Sequence, residues 1–112
     1  VAHSFPTRRS SDLMINEAIQ VLMEGIASAE DIDTAIKLGY NLPVGPLALA
    51  DSLGLEHVLR RMDNLFHELG DPKFRPCPLL RKMVRAGKIG RSVGEGFFKY
   101  EKRDAYASGG AR

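Results

Sequence analysis

The sequence predicts an all-α domain, a compact bundle of about five helices joined by connectors rich in proline and glycine. Apolar side chains recur at helical spacing in several stretches, whereas only one short segment near the C-terminus resembles a strand. The chain has 112 residues, of which 44% are hydrophobic and 27% charged. This length and composition suit one soluble domain that buries a single core.

The first helix is predicted to begin at Met14, where an amphipathic pattern starts. Its buried stripe is expected to contain Ile15, Ala18, Ile19, Leu22, Met23 and Ile26. Asn16 and Glu17 fall on the opposite, solvent-facing side of the pattern. Residues 1–13 show no apolar period, so we expect them to form a disordered lead.

The second helix is predicted over residues 29–38. Ser28 is a suitable N-cap residue, and Asp31 follows three positions later as in a capping box. Gly39 is the expected C-terminal glycine. The side chains expected to point inward are Ile32, Ala35 and Ile36.

The third helix is predicted over residues 46–53, after a stiff link that contains Pro43, Gly45 and Pro46. Proline at position 46 suits the first turn of a helix. Because this helix is apolar almost all round, more than one of its faces should be covered by protein or ligand.

The fourth helix is predicted over residues 55–69 and the fifth from Pro78 to about Ala86. Gly70-Asp71-Pro72 ends the fourth, and Gly87 follows the fifth. Residues 72–78 form an extended, proline-rich connector.

After the fifth helix, residues 90–100 form a glycine-rich loop whose aromatic end must dock on an apolar surface. This end contains Phe97, Phe98 and Tyr100. The tail over residues 101–112 is expected to be flexible.

Charge and cysteine content favour an intracellular protein without a nucleic-acid surface. The formal charge is +2, while residues 14–100 contain 11 acidic and 11 basic side chains. A neutral body of this kind lacks the basic footprint that nucleic acid needs. With Cys77 as the single cysteine and no long apolar run, we expect a cytoplasmic location and no membrane contact.

The residues by themselves suggest no catalytic or metal site. His57 and His67 lie on one helix, separated by about 15 Å along its axis, so they cannot share a metal. Cys77, between two prolines and apart from any helix N-terminus, is interpreted as a packing cysteine. The acids of the second and fourth helices are interpreted as solvated. The glycines of the loop at 90–96 follow no predicted strand and precede no helix, which argues against a phosphate-binding loop.

A basic patch leaves one alternative open, a stand-alone helical module that binds a phosphate-bearing partner. The patch spans residues 81–91 and contains Arg81, Lys82, Arg85, Lys88 and Arg91. A solvated helix face is the more ordinary interpretation, since no aromatic side chain is interleaved among these charges.

Several strings of residues fall in one collinear stretch from Met14 to Tyr100. They are Met14-Ile15-Asn16-Glu17-Ala18, Glu30-Asp31-Ile32-Asp33-Thr34-Ala35, Leu38-Gly39, Pro43-Val44-Gly45-Pro46-Leu47, Asp51, Gly54-Leu55, Gly70-Asp71-Pro72-Lys73-Phe74-Arg75-Pro76-Cys77-Pro78-Leu79-Leu80 and Gly94-Glu95-Gly96-Phe97-Phe98-Lys99-Tyr100. These strings closely resemble the C-terminal domain of 3-hydroxyacyl-CoA dehydrogenases, and the bacterial 3-hydroxybutyryl-CoA dehydrogenases are the most similar group. The resemblance implies a helical domain of the kind that ends 6-phosphogluconate dehydrogenases.

The resemblance also implies an oxidoreductase of fatty acid and butanoate metabolism that moves a hydride between NAD and C3 of an acyl-CoA. In such enzymes a separate N-terminal domain holds NAD and the catalytic residues. The helical domain closes the acyl-CoA cleft and forms a homodimer. This chain alone is therefore expected to bind no NAD and to be inactive.

The only site residues that carry over are expected to line the substrate cleft. They are Pro43, Val44, Gly45, Pro46 and Leu49. Family members enter the first helix through a Gly-Phe-x-x-Asn-Arg motif, but Arg8 stands near the asparagine position here. We therefore expect residues 1–13 to be a non-native lead and assign no catalytic, cofactor-binding or metal-binding residue.

Overall fold

The computed structural model describes residues 8–101 and confirms the all-α class. The described part contains five α-helices and two short 3-10 turns, at Pro72–Phe74 and Arg91–Val93. The described part also contains two isolated β-bridges, which pair Gly90 with Glu95 and Glu95 with Lys99. The helices are α1 Arg8–Met23, α2 Ala29–Gly39, α3 Pro46–Leu53, α4 Leu55–Leu69 and α5 Pro78–Arg85.

Helix α1 begins at Arg8, so the expectation of disorder is wrong for residues 8–13. Asp12 lies in this extension with only 1% of its surface exposed, and its carboxylate forms an ion pair with Arg61 of α4. This ion pair between two helices stabilises the additional helical residues. Their sequence has no periodic apolar pattern, so the helix could not be predicted there. Residues 1–7 and 102–112, the remainder of the predicted lead and tail, lie outside the described residues.

The far end of α1 also differs from the prediction. The helix ends at Met23, and Ile26, expected on the buried stripe, is 68% exposed. Gly25 follows the helix with a φ of 75°, and this conformation turns the chain before Ile26 can continue the helical stripe.

The predicted start of α2 is confirmed, whereas its end is different. Ser28 Oγ accepts a hydrogen bond from the Asp31 backbone N–H at 3.1 Å. Gly39 is the last helical residue, and Asn41, with a φ of 55°, takes the left-handed conformation instead. Ala35, expected to point inward, is exposed, because α2 buries only a narrow stripe.

One hydrophobic core joins the helices. Its most buried members are Ile15, Ala18, Ile19, Ile32, Leu47, Ala50, Leu55, Val58, Met62, Cys77 and Leu80. Helix α3 contacts α1, α2, α4 and the 3-10 turn Arg91–Val93. The prediction that several faces of this apolar helix are covered is confirmed.

Asn16 fixes the proline-rich connector to α1, contrary to its predicted place on the solvent-facing side. Its Nδ2 donates to the Arg75 carbonyl oxygen at 2.9 Å, and its Oδ1 accepts from the Cys77 N–H at 2.9 Å. A connector with three prolines forms few hydrogen bonds within itself. The buried Asn16 amide, which both donates and accepts, therefore supplies hydrogen bonds to its backbone.

Within residues 8–101, no helix is both long enough and apolar enough to cross a membrane.

Candidate functional site

The predicted cleft residues lie at an open depression between α1 and the start of α3. The depression is shallow: it has about 10 Å³ of room for the centres of water-sized molecules, and the space above it is open to solvent. It is lined by Ser11, Met14, Ile15, Leu42, Val44, Pro46 and Leu49. Three of the five predicted residues, Val44, Pro46 and Leu49, thus line one surface, whereas neither Pro43, which is exposed, nor Gly45, which is buried, belongs to the lining.

The lining of the depression is almost wholly apolar, and Ser11 is its one polar residue. No ionisable side chain belongs to the lining, so these residues can shape a surface for an apolar group but cannot transfer protons. The depression is therefore a candidate binding surface rather than a catalytic centre.

The start of α3 is held by a carboxylate from the neighbouring helix. The backbone N–H of Leu47 donates to Oδ1 of Asp33 at 2.8 Å, and that of Ala48 donates to Oδ2 at 2.9 Å. Gly45, the N-cap of α3, has no side chain to perform this role. Asp33 of α2 thus satisfies the first N–H groups of α3 and places a negative charge at its N-terminus.

Gly45 permits this contact because it has no Cβ. A Cβ built on Gly45 would lie 2.6 Å from Cβ of Asp33 and closer still to the Asp33 carboxyl carbon. Any other residue at this position would displace the carboxylate. Burial raises the pKa of Asp33, while the hydrogen bonds from Leu47 and Ala48 and the charge of Lys37 oppose that rise.

A second buried carboxylate, Asp51 of α3, holds the C-terminal loop. It accepts hydrogen bonds from the N–H groups of Phe97 at 2.9 Å and Phe98 at 3.1 Å, and from the Tyr100 hydroxyl at 2.8 Å. Burial raises the pKa of Asp51, although these hydrogen bonds oppose the rise. The pKa of Tyr100 is also raised, mainly by burial and secondly by the Asp51 carboxylate beside it. Phe97 and Phe98 pack against the core, so the predicted docking of the aromatic end is confirmed.

Sequence reasoning missed both carboxylates, and the interpretation of the α2 acids as solvated is wrong for Asp33, which is 9% exposed. One signal for Asp33 was present. Gly45-Pro46 begins α3 without a capping side chain, so the N–H groups of Leu47 and Ala48 require an acceptor from elsewhere. For Asp51 no comparable local signal exists.

The other candidate residues stay apart from this site. His57 and His67 are both exposed, and among residues 8–101 no group of three metal-ligating side chains comes together.

Cys77 is 2% exposed, which agrees with a packing role. It is also the N-cap of α5, so the interpretation that it lies apart from any helix N-terminus is wrong. Burial nevertheless raises the pKa of its thiol, despite the N–H groups of Leu79 and Leu80.

Three of the five charges in the basic patch contact other parts of the chain. Arg81 pairs with Asp63, Lys88 Nζ lies 3.6 Å from a carboxylate oxygen of Glu95, and the Arg91 guanidinium lies 4.8 Å from the centre of the Tyr100 ring. Lys82 and Arg85 are exposed on α5. The structure therefore gathers no set of five converging cations.

Known proteins match the chain over the same region. The family model described as the 3-hydroxyacyl-CoA dehydrogenase C-terminal domain matches residues 5–100. A probable 3-hydroxybutyryl-CoA dehydrogenase of Deinococcus radiodurans is 60% identical over 87 residues, which are 78% of this chain and 31% of that protein. One from Bacillus subtilis is 56% identical over 90 residues, covering 80% of this chain and 31% of that protein.

A solved structure agrees with these matches. The (S)-3-hydroxybutyryl-CoA dehydrogenase of Ralstonia eutropha superimposes with a TM-score of 0.83 and 52% sequence identity, over 88% of this chain and 35% of that one. The chain spans about a third of the length of the curated relatives, which are 31% covered. It belongs to the 3-hydroxyacyl-CoA dehydrogenase family of oxidoreductases, of which it is the helical C-terminal domain.

Proposed function

We propose that this domain forms one wall of the acyl-CoA cleft in an NAD-dependent dehydrogenase acting on 3-hydroxybutyryl-CoA or a similar substrate. The observation that carries the proposal is the apolar depression to which Val44, Pro46 and Leu49 contribute. An apolar surface without ionisable groups suits the acyl part of a substrate rather than its reacting carbon. The matched relatives named 3-hydroxybutyryl-CoA dehydrogenases support this substrate class.

The cofactor belongs to another part of the enzyme. When bound, the cofactor would accept the hydride as NAD⁺ or donate it as NADH, but the described residues do not fit a dinucleotide site. The glycines at 90, 94 and 96 lie in a loop held on α3 by Asp51, and no α-helix starts after them within the described residues. We accordingly propose that a separate nucleotide-binding domain holds NAD and that this chain alone is inactive.

A hybrid enzyme tests the proposed function. The 87 matched residues of the Deinococcus radiodurans relative are replaced by the corresponding residues of this chain. We expect the hybrid to oxidise NADH with acetoacetyl-CoA, and the 112-residue chain to show no such activity. A folded hybrid without activity, beside an active parent enzyme, would contradict the cleft role. Turnover by the chain alone would contradict the need for a second domain.

We also propose that the domain forms a homodimer in the cytoplasm. Helix α3 is covered on several faces, although Leu53 at its end is 37% exposed, so most of a dimer contact would use apolar side chains of other elements. Leu38 and Tyr40, at the end of α2, are 73% and 68% exposed. Sedimentation velocity should show a dimer that Leu38→Asp weakens. A monomer at all concentrations up to about 1 mM would exclude dimers with a Kd below the millimolar range.

A second function, a stand-alone module that binds phosphate groups, gains no support from the described contacts of the basic patch. Its test is binding to CoA at low salt, where charge-driven binding is strongest.

A further inference from the structure

We infer that Asp33 is a positioning residue of the proposed acyl-CoA cleft, which sets the place of the cleft wall by holding the N-terminus of α3. The inference rests on the proposed function. Asp33 does not line the depression. It acts through two backbone N–H groups, those of Leu47 and Ala48.

The geometry connects Asp33 directly to the wall. Leu47 and Ala48 lie between Pro46 and Leu49, both of which line the depression. A carboxylate that accepts from two adjacent N–H groups fixes both the position and the direction of the helix start. Any displacement of this start therefore moves both lining residues.

The link before α3 is held at both ends, and Asp33 supplies the hold at the α3 end. The N–H of Leu42 donates to the Lys37 carbonyl oxygen at 2.9 Å, which ties the beginning of the link to α2. Pro43 and Pro46 restrict the backbone between Leu42 and Leu47. The link is thus fixed at its first end by α2 and at its second end by Asp33, which also belongs to α2.

Asp51 provides a matched control. It too is a buried carboxylate that accepts two backbone N–H groups, but its partners belong to the loop at Phe97 and Phe98. If Asp33 acted only through general stability, Asp33→Asn and Asp51→Asn would have the same kinetic effect. If Asp33 positions the wall, KM should rise in Asp33→Asn but not in Asp51→Asn.

The experiment measures KM for acetoacetyl-CoA and kcat in the active hybrid enzyme. In Asp33→Asn the amide must turn a donor toward one of the two N–H groups, so the start of α3 shifts. We expect KM to rise by about tenfold with kcat within about twofold, because the wall contacts substrate away from the reacting carbon. Asp51→Asn should leave KM within about twofold of its starting value.

A KM for Asp33→Asn within twofold of the hybrid's, or an equal rise in Asp51→Asn, would overturn the inference. If Asp33→Asn does not fold, Asp33→Glu decides, since it keeps the carboxylate but is too long for the present position of α3. A raised KM with kcat retained then supports the inference, and an unchanged KM overturns it. An inactive starting hybrid instead contradicts the proposed function, and the inference fails with it.

Discussion

The hydroxyl of Tyr100 donates a 2.8 Å hydrogen bond to Oδ2 of Asp51, a residue 49 positions earlier in the chain. With the N–H groups of Phe97 and Phe98, it gives one buried carboxylate three donors from a single loop. Three hydrogen bonds from the loop therefore end on one side chain of α3, so substitution of Asp51 measures their joint contribution to stability.

Replacement of Asp51 by alanine should destabilise the domain by about 2–4 kcal/mol, because three donors lose their acceptor and a buried space opens. Tyr100→Phe removes only one of the three hydrogen bonds and should cost about 1 kcal/mol. Urea unfolding followed by circular dichroism measures both. Equal losses for the two variants would show that the backbone donors find other partners.

The Asp51 carboxylate should also give the domain a pH dependence of stability. Its pKa is raised from 3.8 by burial, so above that pH the folded chain retains a proton that the unfolded chain releases. The free energy of unfolding should therefore fall as pH rises through this interval, by at most about 1.4 kcal/mol per pH unit for one carboxylate.

Comparison with Asp51→Asn isolates this effect, since Asp33 and the other acids are common to both proteins. The stability of the unaltered chain relative to the variant should decrease from about pH 4 upward. An increase in that difference with pH would mean that the hydrogen bonds outweigh burial in setting the pKa.

Gly96 should tolerate no side chain, for steric reasons alone. A Cβ at this position would lie 2.6 Å from Cγ of Asp51. Gly96→Ala should cost about 1–3 kcal/mol, as in overpacked cores. Gly39→Ala is the control, because Gly39 is helical and nothing lies within 4 Å of its added Cβ. It should be stabilising by a few tenths to about 1 kcal/mol. Thermal melts that rank the two variants in the opposite order would contradict the close contact at Asp51.

Asn16→Ala should destabilise the domain by about 1–3 kcal/mol, because the Arg75 carbonyl and the Cys77 N–H lose their partner. Gln20→Ala, which removes an exposed hydrogen bond to Glu24 on the same helix, should change stability by no more than about 0.5 kcal/mol. Chemical denaturation of both variants provides the comparison. Similar small losses would mean that solvent replaces the amide of Asn16.

Local rules account for the elements that were predicted correctly. Ser28 caps α2, Pro46 and Pro78 begin α3 and α5, and Gly70 ends α4 in the left-handed conformation. Each of these signals acts within a few residues, so it is visible without tertiary contacts. The prediction of a substrate cleft came from the family resemblance; three of the five predicted residues line the depression, and their role in binding stays a prediction.

The errors at Asp33, Asp51 and Asn16 have a different cause, which is tertiary contact. Asp33 bonds to residues 14 and 15 positions away, Asp51 to residues 46 to 49 away, and Asn16 to residues 59 and 61 away. A polar residue in an amphipathic pattern is assigned to solvent unless its partner is known. These three side chains are buried because polar groups distant in the sequence need hydrogen-bond partners, and no local period encodes such a need.

The attachment of the loop to Asp51 has a consequence for the order of assembly during synthesis. Asp51 is made well before its three partners, and its carboxylate has none of these donors until Phe97, Phe98 and Tyr100 have emerged. Until then the core around α3 is uncovered on the side of the loop. Because these partners lie 46 to 49 residues after Asp51, the loop side of α3 stays uncovered until nearly the whole domain has been synthesised, and the nascent chain exposes apolar surface during that interval.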